Sequence, residues 1–243
     1  MRPVKRGGPP RSADFTSYRD ATPDLISRLG PYCSYCERQF DALLAVEHVQ
    51  PKAPGRYPEL IGRWDNFLLA CVNCNASKGD KEVDLAELFL PDRDNTFIAF
   101  TYLGDGTVKP MDAPADRRDL ATQTLALVGL DRQPQDRLDA NGEIVALSRT
   151  AQRNKLWEYA LSARSKLARQ PGNRIVREFA IDVAKARGFF SIWMTVFAND
   201  RDMRNRLIDA FPSTRASGCF DPVTTEPITP APNPDGLPHG SKI

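Results

Sequence analysis

Two short apolar runs, "LLAVEHV" (43–49) and "NFLLACV" (66–72), stand out from the polar sequence around them. Both are rich in Leu, Val and Ala and bounded by polar or turn-forming residues, which is the pattern of short buried strands. The stretch after the second, "CNASKGDK" (74–81), predicts a helix beginning near Asn75. The order is strand, loop, strand, helix. Upstream, "TPDLISRLGP" (22–31) predicts a short helix capped by Thr22, with Pro23 and Asp24 in its first turn and Gly30-Pro31 at its end. Residues 1–21, rich in Gly, Pro and Arg, predict an irregular arm.

Further on, "TFIAFTYLGDGTVKP" (96–110) predicts a hairpin: an apolar, aromatic strand, a Gly-Asp-Gly turn and a second strand. From 116 the pattern becomes helical. "RNKLWEYALSARSKLARQ" spaces Leu156, Trp157, Ala160, Leu161, Ala163 and Leu167 as one core-facing stripe, and Pro171-Gly172 ends it. Residues 173–210 predict two or three further helices, jointed at Gly188. The proline-rich segment from Cys219 has little periodicity and predicts a poorly ordered tail. The chain therefore divides into an arm and short helix (1–30), a strand–strand–helix core (31–90), a β-hairpin connector (91–115), a helical domain (116–218) and a tail (219–243). The fold class is α+β.

An apolar fraction of 41% over 243 residues is enough to bury a core. The longest apolar-looking stretch, "GFFSIWMTVFA" (188–198), is about half of the ~20 residues that span a bilayer, so no membrane partner is expected. The basic opening "MRPVKRGGPP" has no apolar run behind it, and a cytoplasmic location is expected. Net charge is only +2, which gives no general attraction to nucleic acid. Its distribution is uneven: residues 149–177 carry eight bases against one acid, Glu158. Arg149 and Arg153 open that stretch as candidates for phosphate contact, a solvated helix face being the alternative.

Four of the five cysteines fall as Cys33-x2-Cys36 and Cys71-x2-Cys74. Paired two-residue knuckles let four thiolates reach one tetrahedral Zn²⁺, and a site of four sulfurs leaves no open position for water, so the ion would be structural. Disulfides are the competing account, disfavoured in a reducing compartment. Cys219 stands apart as a small apolar residue or free thiol. Since sulfur completes the zinc set, His48 in "VEHVQPK" is left as a catalytic base or a buried strand residue. Glu47, Asn66 and Asn75 are further polar residues in the same segment with few structural duties.

The pattern C-x2-C, Glu-His-x2-Pro, Trp-x-Asn-x-Leu and C-x2-C-Asn-x2-Lys-Gly, spread over 33–79, resembles the HNH endonuclease family, whose core is a ββα-metal fold. The resemblance implies hydrolysis of phosphodiester bonds. His48 would be the general base, Glu47 and Asn75 would hold one divalent ion, Asn66 would brace the loop between the strands, and Lys78 would approach a phosphate. The third motif position is Asn75 rather than histidine, which favours a hard cation such as Mg²⁺ or Mn²⁺. More loosely, "MRPVKRG", "GPYCSYCER", "FLPDRDNTF" and "CFD" resemble the PtuB-like HNH subunits of Septu-type and retron-linked anti-phage systems. That resemblance implies DNA as substrate and an ABC- or SMC-type ATPase as partner. No G-x4-G-K-[ST] is present, so ATP control would come from the partner. An RNA-cutting nuclease and a zinc-braced binding module without catalysis are the other readings.

Overall fold

The computed structural model describes residues 1–52, 55–132, 137–138, 144–146 and 148–243. A 3-10 turn, Tyr18–Ala21, runs directly into α1 (Thr22–Leu29). Ala21 takes the cap position and no side chain caps the helix, contrary to the expectation for Thr22, which is the first helical residue. Its Oγ1 instead donates to the Arg19 carbonyl at 2.8 Å. The preceding turn already holds the chain in helical geometry, so a cap has little to add. Gly30, at φ 76°, ends the helix.

The core is an antiparallel pair, β1 (Leu44–His48) and β2 (Phe67–Cys71), in which His48 faces Phe67, Glu47 faces Leu68 and Leu44 faces Cys71. Every residue of β2 is buried, which accounts for its unbroken apolar run. The chain passes from β2 straight into α2 (Val72–Lys78), with Cys71 at the cap position. Asn75 therefore lies one turn inside α2 rather than at its start. Next come the hairpin β3 (Phe100–Tyr102) and β4 (Val108–Pro110), then α3 (Ala115–Val128). The hairpin turn holds Gly106 at φ 84°, where a Cβ would stand 2.1 Å from the Thr150 carbonyl, so only glycine lets the turn approach so closely.

A short ladder, β5 (Arg137–Leu138) with β6 (Ile144–Ala146), precedes α4 (Arg149–Arg169), α5 (Arg174–Arg187), α6 (Phe190–Val196) and α7 (Arg201–Ala210). Helix α4 packs on α5 and α6. Along α4, Leu156, Ala160 and Leu167 are buried while Trp157 and Ala163 are half-buried. Leu161 faces outward and Arg153 shares the buried face, a correction to the expected stripe. The α+β class, with a ββα core followed by a hairpin and helices, is the one read from the sequence. No helix among the described residues is long and apolar enough to cross a membrane.

Neither end of the chain is peripheral. Arg2 donates to the Leu29 carbonyl at 2.6 Å and to Thr214 Oγ1 at 2.8 Å, tying the arm to the end of α1. Arg6 is buried and donates to the Phe67 carbonyl at 2.5 Å, with Asp92 at 3.3 Å and Asp235 at 3.6 Å. Asp235 in turn accepts the backbone N–H groups of Arg6 and Gly7 at 3.0 and 2.7 Å. Arg93 pairs with Asp92 at 3.0 Å, and Lys242 with Asp94 at 3.0 Å. The segment after Cys219 is thus laced to the arm and to 90–95, not poorly ordered as expected. Backbone hydrogen bonds and ion pairs hold it, and these leave no apolar periodicity to read.

Candidate active site

The two knuckles meet because β2 ends at Cys71, opposite Leu44, while Ser34 between Cys33 and Cys36 donates its N–H to the Leu69 carbonyl at 2.8 Å. The ligand sulfurs of Cys33, Cys36, Cys71 and Cys74 all lie within 4.8 Å of one another, and Cys36 and Cys71 are 3.7 Å apart. A tetrahedron with ~2.3 Å Zn–S bonds has edges of about 3.8 Å, so the cluster fits a zinc ion. It does not fit disulfides, and all four cysteines are free.

Packed so closely, the thiols cannot all ionise unaided. Hydrogen bonds from its three neighbours hold Cys71 far below the usual thiol range. In Cys36 burial is outweighed by hydrogen bonds from Cys33 and Cys74, and its thiol is lowered. Burial raises Cys33, and hydrogen bonding to the other thiols raises Cys74. A divalent cation is what lets four sulfurs carry charge together. Two guanidinium groups add to the balance: Arg38 Nη2 is 3.5 Å from Cys71 Sγ and Arg149 Nη1 is 3.4 Å from Cys74 Sγ.

At the other end of the strand pair, a cleft of about 260 Å³ is lined by Glu47, His48, Asn75 and Lys78, with Tyr18 and Lys52 at its edge. His48 is 5% exposed, its ring edge-to-face with Phe67 and Tyr18 at centroid distances of 5.1 and 4.8 Å. Its Nε2 is 3.0 Å from the Ile61 carbonyl. A carbonyl only accepts, so Nε2 carries the proton and Nδ1, without a partner among the described residues, is the basic nitrogen. Burial lowers the His48 pKa, the Ile61 hydrogen bond opposes this, and Lys52 and Lys78 lower it further. The imidazole is accordingly neutral at neutral pH.

Glu47 is 2% exposed. Both of its partners act on Oε1: Lys78 Nζ at 3.0 Å and the Tyr35 hydroxyl at 3.3 Å. Oε2 has no partner among the described residues. Burial raises the carboxyl pKa, with Lys78 and Tyr35 acting in the opposite direction. The half-buried Asn75 amide also lacks a partner among the described residues and lines the same cleft. One free carboxylate oxygen and one free amide are hard donors suited to a Mg²⁺-like cation.

Asn66 makes no hydrogen bond to the other site residues among those described. Its Oδ1 accepts the Gln50 N–H at 2.8 Å, and its Nδ2 donates to the Gln50 carbonyl at 2.9 Å and, more weakly, to Leu60 at 3.4 Å. It grips the connection between β1 and β2 just where Ile61 meets His48. Lys78 is buried, and its Nζ also donates to the His48 carbonyl at 2.7 Å. It braces Glu47 and His48 instead of standing free for a phosphate.

Arg149 and Arg153 are not brought to this cleft. Arg149 donates to the carbonyls of Val128 and Gly129 besides its contact with Cys74. Arg153 is 2% exposed and donates to the Gly106 carbonyl at 2.5 Å. Their partners lie some tens of residues away in sequence, which is why the basic run looked free. Conversely, the sequence reading passed over Tyr18 and Lys52, whose Nζ donates to the Tyr18 hydroxyl at 2.6 Å. An aromatic in the arm and a lysine just after "VQP" were the only signals.

Residues 33–81 match the HNH endonuclease family. A stretch of 58 residues is 38% identical to the Septu protein PtuB of Bacillus thuringiensis, covering 23% of this chain and 22% of that protein. The chain thus aligns with about a fifth of its relative's length. The matched segment carries the whole thiolate cluster and, of the cleft, Glu47, His48, Asn75 and Lys78.

Proposed function

We propose that this chain is the metal-dependent nuclease of an anti-phage defence complex and hydrolyses phosphodiester bonds of DNA. One observation carries the reading: a neutral His48 shares a cleft with Oε2 of Glu47 and the amide of Asn75, and His48 Nδ1, that oxygen and that amide all lack a partner among the described residues. Zn²⁺ on the four cysteines is assigned a structural role, joining the knuckles at the far end of the strand pair. Glu47 and Asn75 would hold Mg²⁺ or Mn²⁺, which when bound supplies positive charge to the scissile phosphate and the departing oxygen.

His48 Nδ1 takes the proton of the attacking water, and the Ile61 carbonyl keeps the ring oriented and favours the imidazolium that forms. Lys78 fixes the Glu47 carboxylate and the His48 backbone, and Asn66 fixes the loop bearing Ile61. Cleavage belongs to 31–90, while the helical region 116–218 is the surface for an ABC- or SMC-type ATPase encoded beside it. The Septu likeness supports such a partner, and the absence of a phosphate-binding loop in this chain gives it a role.

The experiment is incubation of purified protein with plasmid and with tRNA, with and without Mg²⁺, beside His48→Ala. Plasmid is cut only with the metal, and His48→Ala is slower by ~10²–10⁴-fold with zinc content unchanged, the usual weight of a general base. Cleavage of tRNA alone moves the substrate to RNA. Equal cutting by His48→Ala would refute the mechanism.

A further inference from the structure

Five of the eight bases of the 149–177 run have partners within the protein. Besides Arg149 and Arg153, Arg164 donates to the Val196 carbonyl at 3.1 Å, Arg177 pairs with Asp200 at 2.7 Å and Arg174 with Glu178 at 2.6 Å. Lys155 differs from these five: like Lys166 and Arg169, it is exposed and has no partner among the described residues. It borders a second cleft, of about 480 Å³, at the Cys71 end of β2. That end lies about 13 Å along the strand from the pair His48–Phe67, at ~3.3 Å per residue.

Among the described residues three cations line this cleft, Arg38, Lys155 and Arg187, and no carboxylate does. Arg187 is exposed, again with no side-chain partner among the described residues. Arg38 is anchored by Gln152 at 3.1 Å and by the Cys71 sulfur, but its buried Nε has no hydrogen-bond partner among the described residues. The nearby Asp41 is held on the Gln39 amide at 2.7 Å. Leu156 and Phe189 add apolar lining, and the ring of Tyr159 is 44% exposed at the edge. Gly188 makes the arrangement possible. At φ 77° its Cβ would stand 2.1 Å from the Glu37 carbonyl, so glycine alone lets the end of α5 close on the knuckle and set Arg187 beside Arg38.

Like charges gathered in one cleft favour an anion, and an exposed aromatic edge beside them offers a face for a flat ring. The volume lies in the range of small-ligand sites. We propose that this cleft binds a phosphorylated nucleoside, its phosphate on Lys155, Arg187 and Arg38 and its base on the ring of Tyr159. The source is a free nucleotide or one residue of a nucleic-acid strand. Binding here is independent of cleavage at His48, so a failure of either leaves the other standing.

The test uses the full chain carrying His48→Ala, without Mg²⁺. Its two probes are ATP, by calorimetry, and a fluorescein-labelled oligo-dT of about 12 nucleotides, by anisotropy. Lys155→Glu with Arg187→Glu weakens binding by at least about tenfold, and for the oligonucleotide lowers the salt slope by ~1.4, or ~0.7 for each lost phosphate contact. Tyr159→Ala costs about tenfold, as expected for one lost stacking platform. Arg117→Glu with Arg118→Glu, an equal charge change on exposed α3, leaves binding near the parent value. Lys155→Ala with Arg187→Ala repeats the test with a milder change should the reversal disturb folding. Loss confined to one probe identifies the source. If neither probe binds the parent, or the α3 control weakens binding as much, the proposal is overturned.

Discussion

Replacing Asn66 by alanine is expected to slow cleavage although the residue stands away from the cleft. Its amide makes two good hydrogen bonds to Gln50, at 2.8 and 2.9 Å, and a weak one to Leu60 at 3.4 Å. Each good bond contributes about 1 kcal/mol net, and water replaces part of the loss because Gln50 is half-buried. The sum is roughly 2 kcal/mol, which for a chain of this length lowers Tm by about 4–8 °C. The kinetic effect is larger than the thermal one. Leu60 precedes Ile61, whose carbonyl holds His48 Nε2 at 3.0 Å, and a shift of about 1 Å in a catalytic group can cost ~100-fold in rate. The assay pairs a melt followed by circular dichroism with plasmid cleavage at saturating Mg²⁺, zinc content serving as a control. A Tm that falls as stated with turnover unchanged would show that the brace does not set His48.

Three further outcomes follow from the geometry. Cys71→Ser should lose zinc and melt at lower temperature, since metal binding and folding are coupled; elemental analysis showing one zinc per chain in the variant would refute the four-sulfur site. His48 is held below its ordinary value of 6.5, first by burial and then by Lys52 and Lys78, with Ile61 opposing. The unfolded chain therefore binds more protons below that pH, so this contribution to stability is present above 6.5 and is lost as pH falls through the folded value. Lys52→Ala should move the acid limb of the pH–rate profile upward, and an unmoved limb would exclude its influence. Arg6→Ala should cost ~3 kcal/mol by urea unfolding, the penalty for breaking a buried charge network. Asp92 keeps Arg93, so the loss falls on Asp235 and the Phe67 carbonyl; an unchanged midpoint would show that the arm does not hold β2.

The strand–strand–helix core was legible because its signals are local. Cysteine spacing, two apolar runs and the Glu-His step all lie within 33–79, and the strand limits fall within a residue or two of the expected ones. Misreadings arose where partners are remote. Nothing near Arg177 shows that Asp200 awaits it, and nothing near Arg149 shows a sulfur at 3.4 Å. Thr22 looked like a cap because the preceding 3-10 turn carries no periodic signature.

The arm and tail bear on the site in a way that composition hides. Arg6 donates to the carbonyl of Phe67, and Phe67 is both the register partner of His48 and the aromatic edge packed against its ring at 5.1 Å. Asp92 and Asp235 flank the Arg6 guanidinium from two segments more than 140 residues apart. The "MRPVKRG" and "FLPDRDNTF" motifs therefore meet in one network, in which Arg6, Asp92 and Arg93 are all buried. They hold the start of β2, and with it one wall of the histidine pocket, by burying a charge that Asp92 and Asp235 balance. A ββα core with one two-stranded sheet has little apolar interior, and its knuckle end is joined by the thiolate cluster. Among the described residues the histidine end has no such cluster, and the Arg6 network lies there.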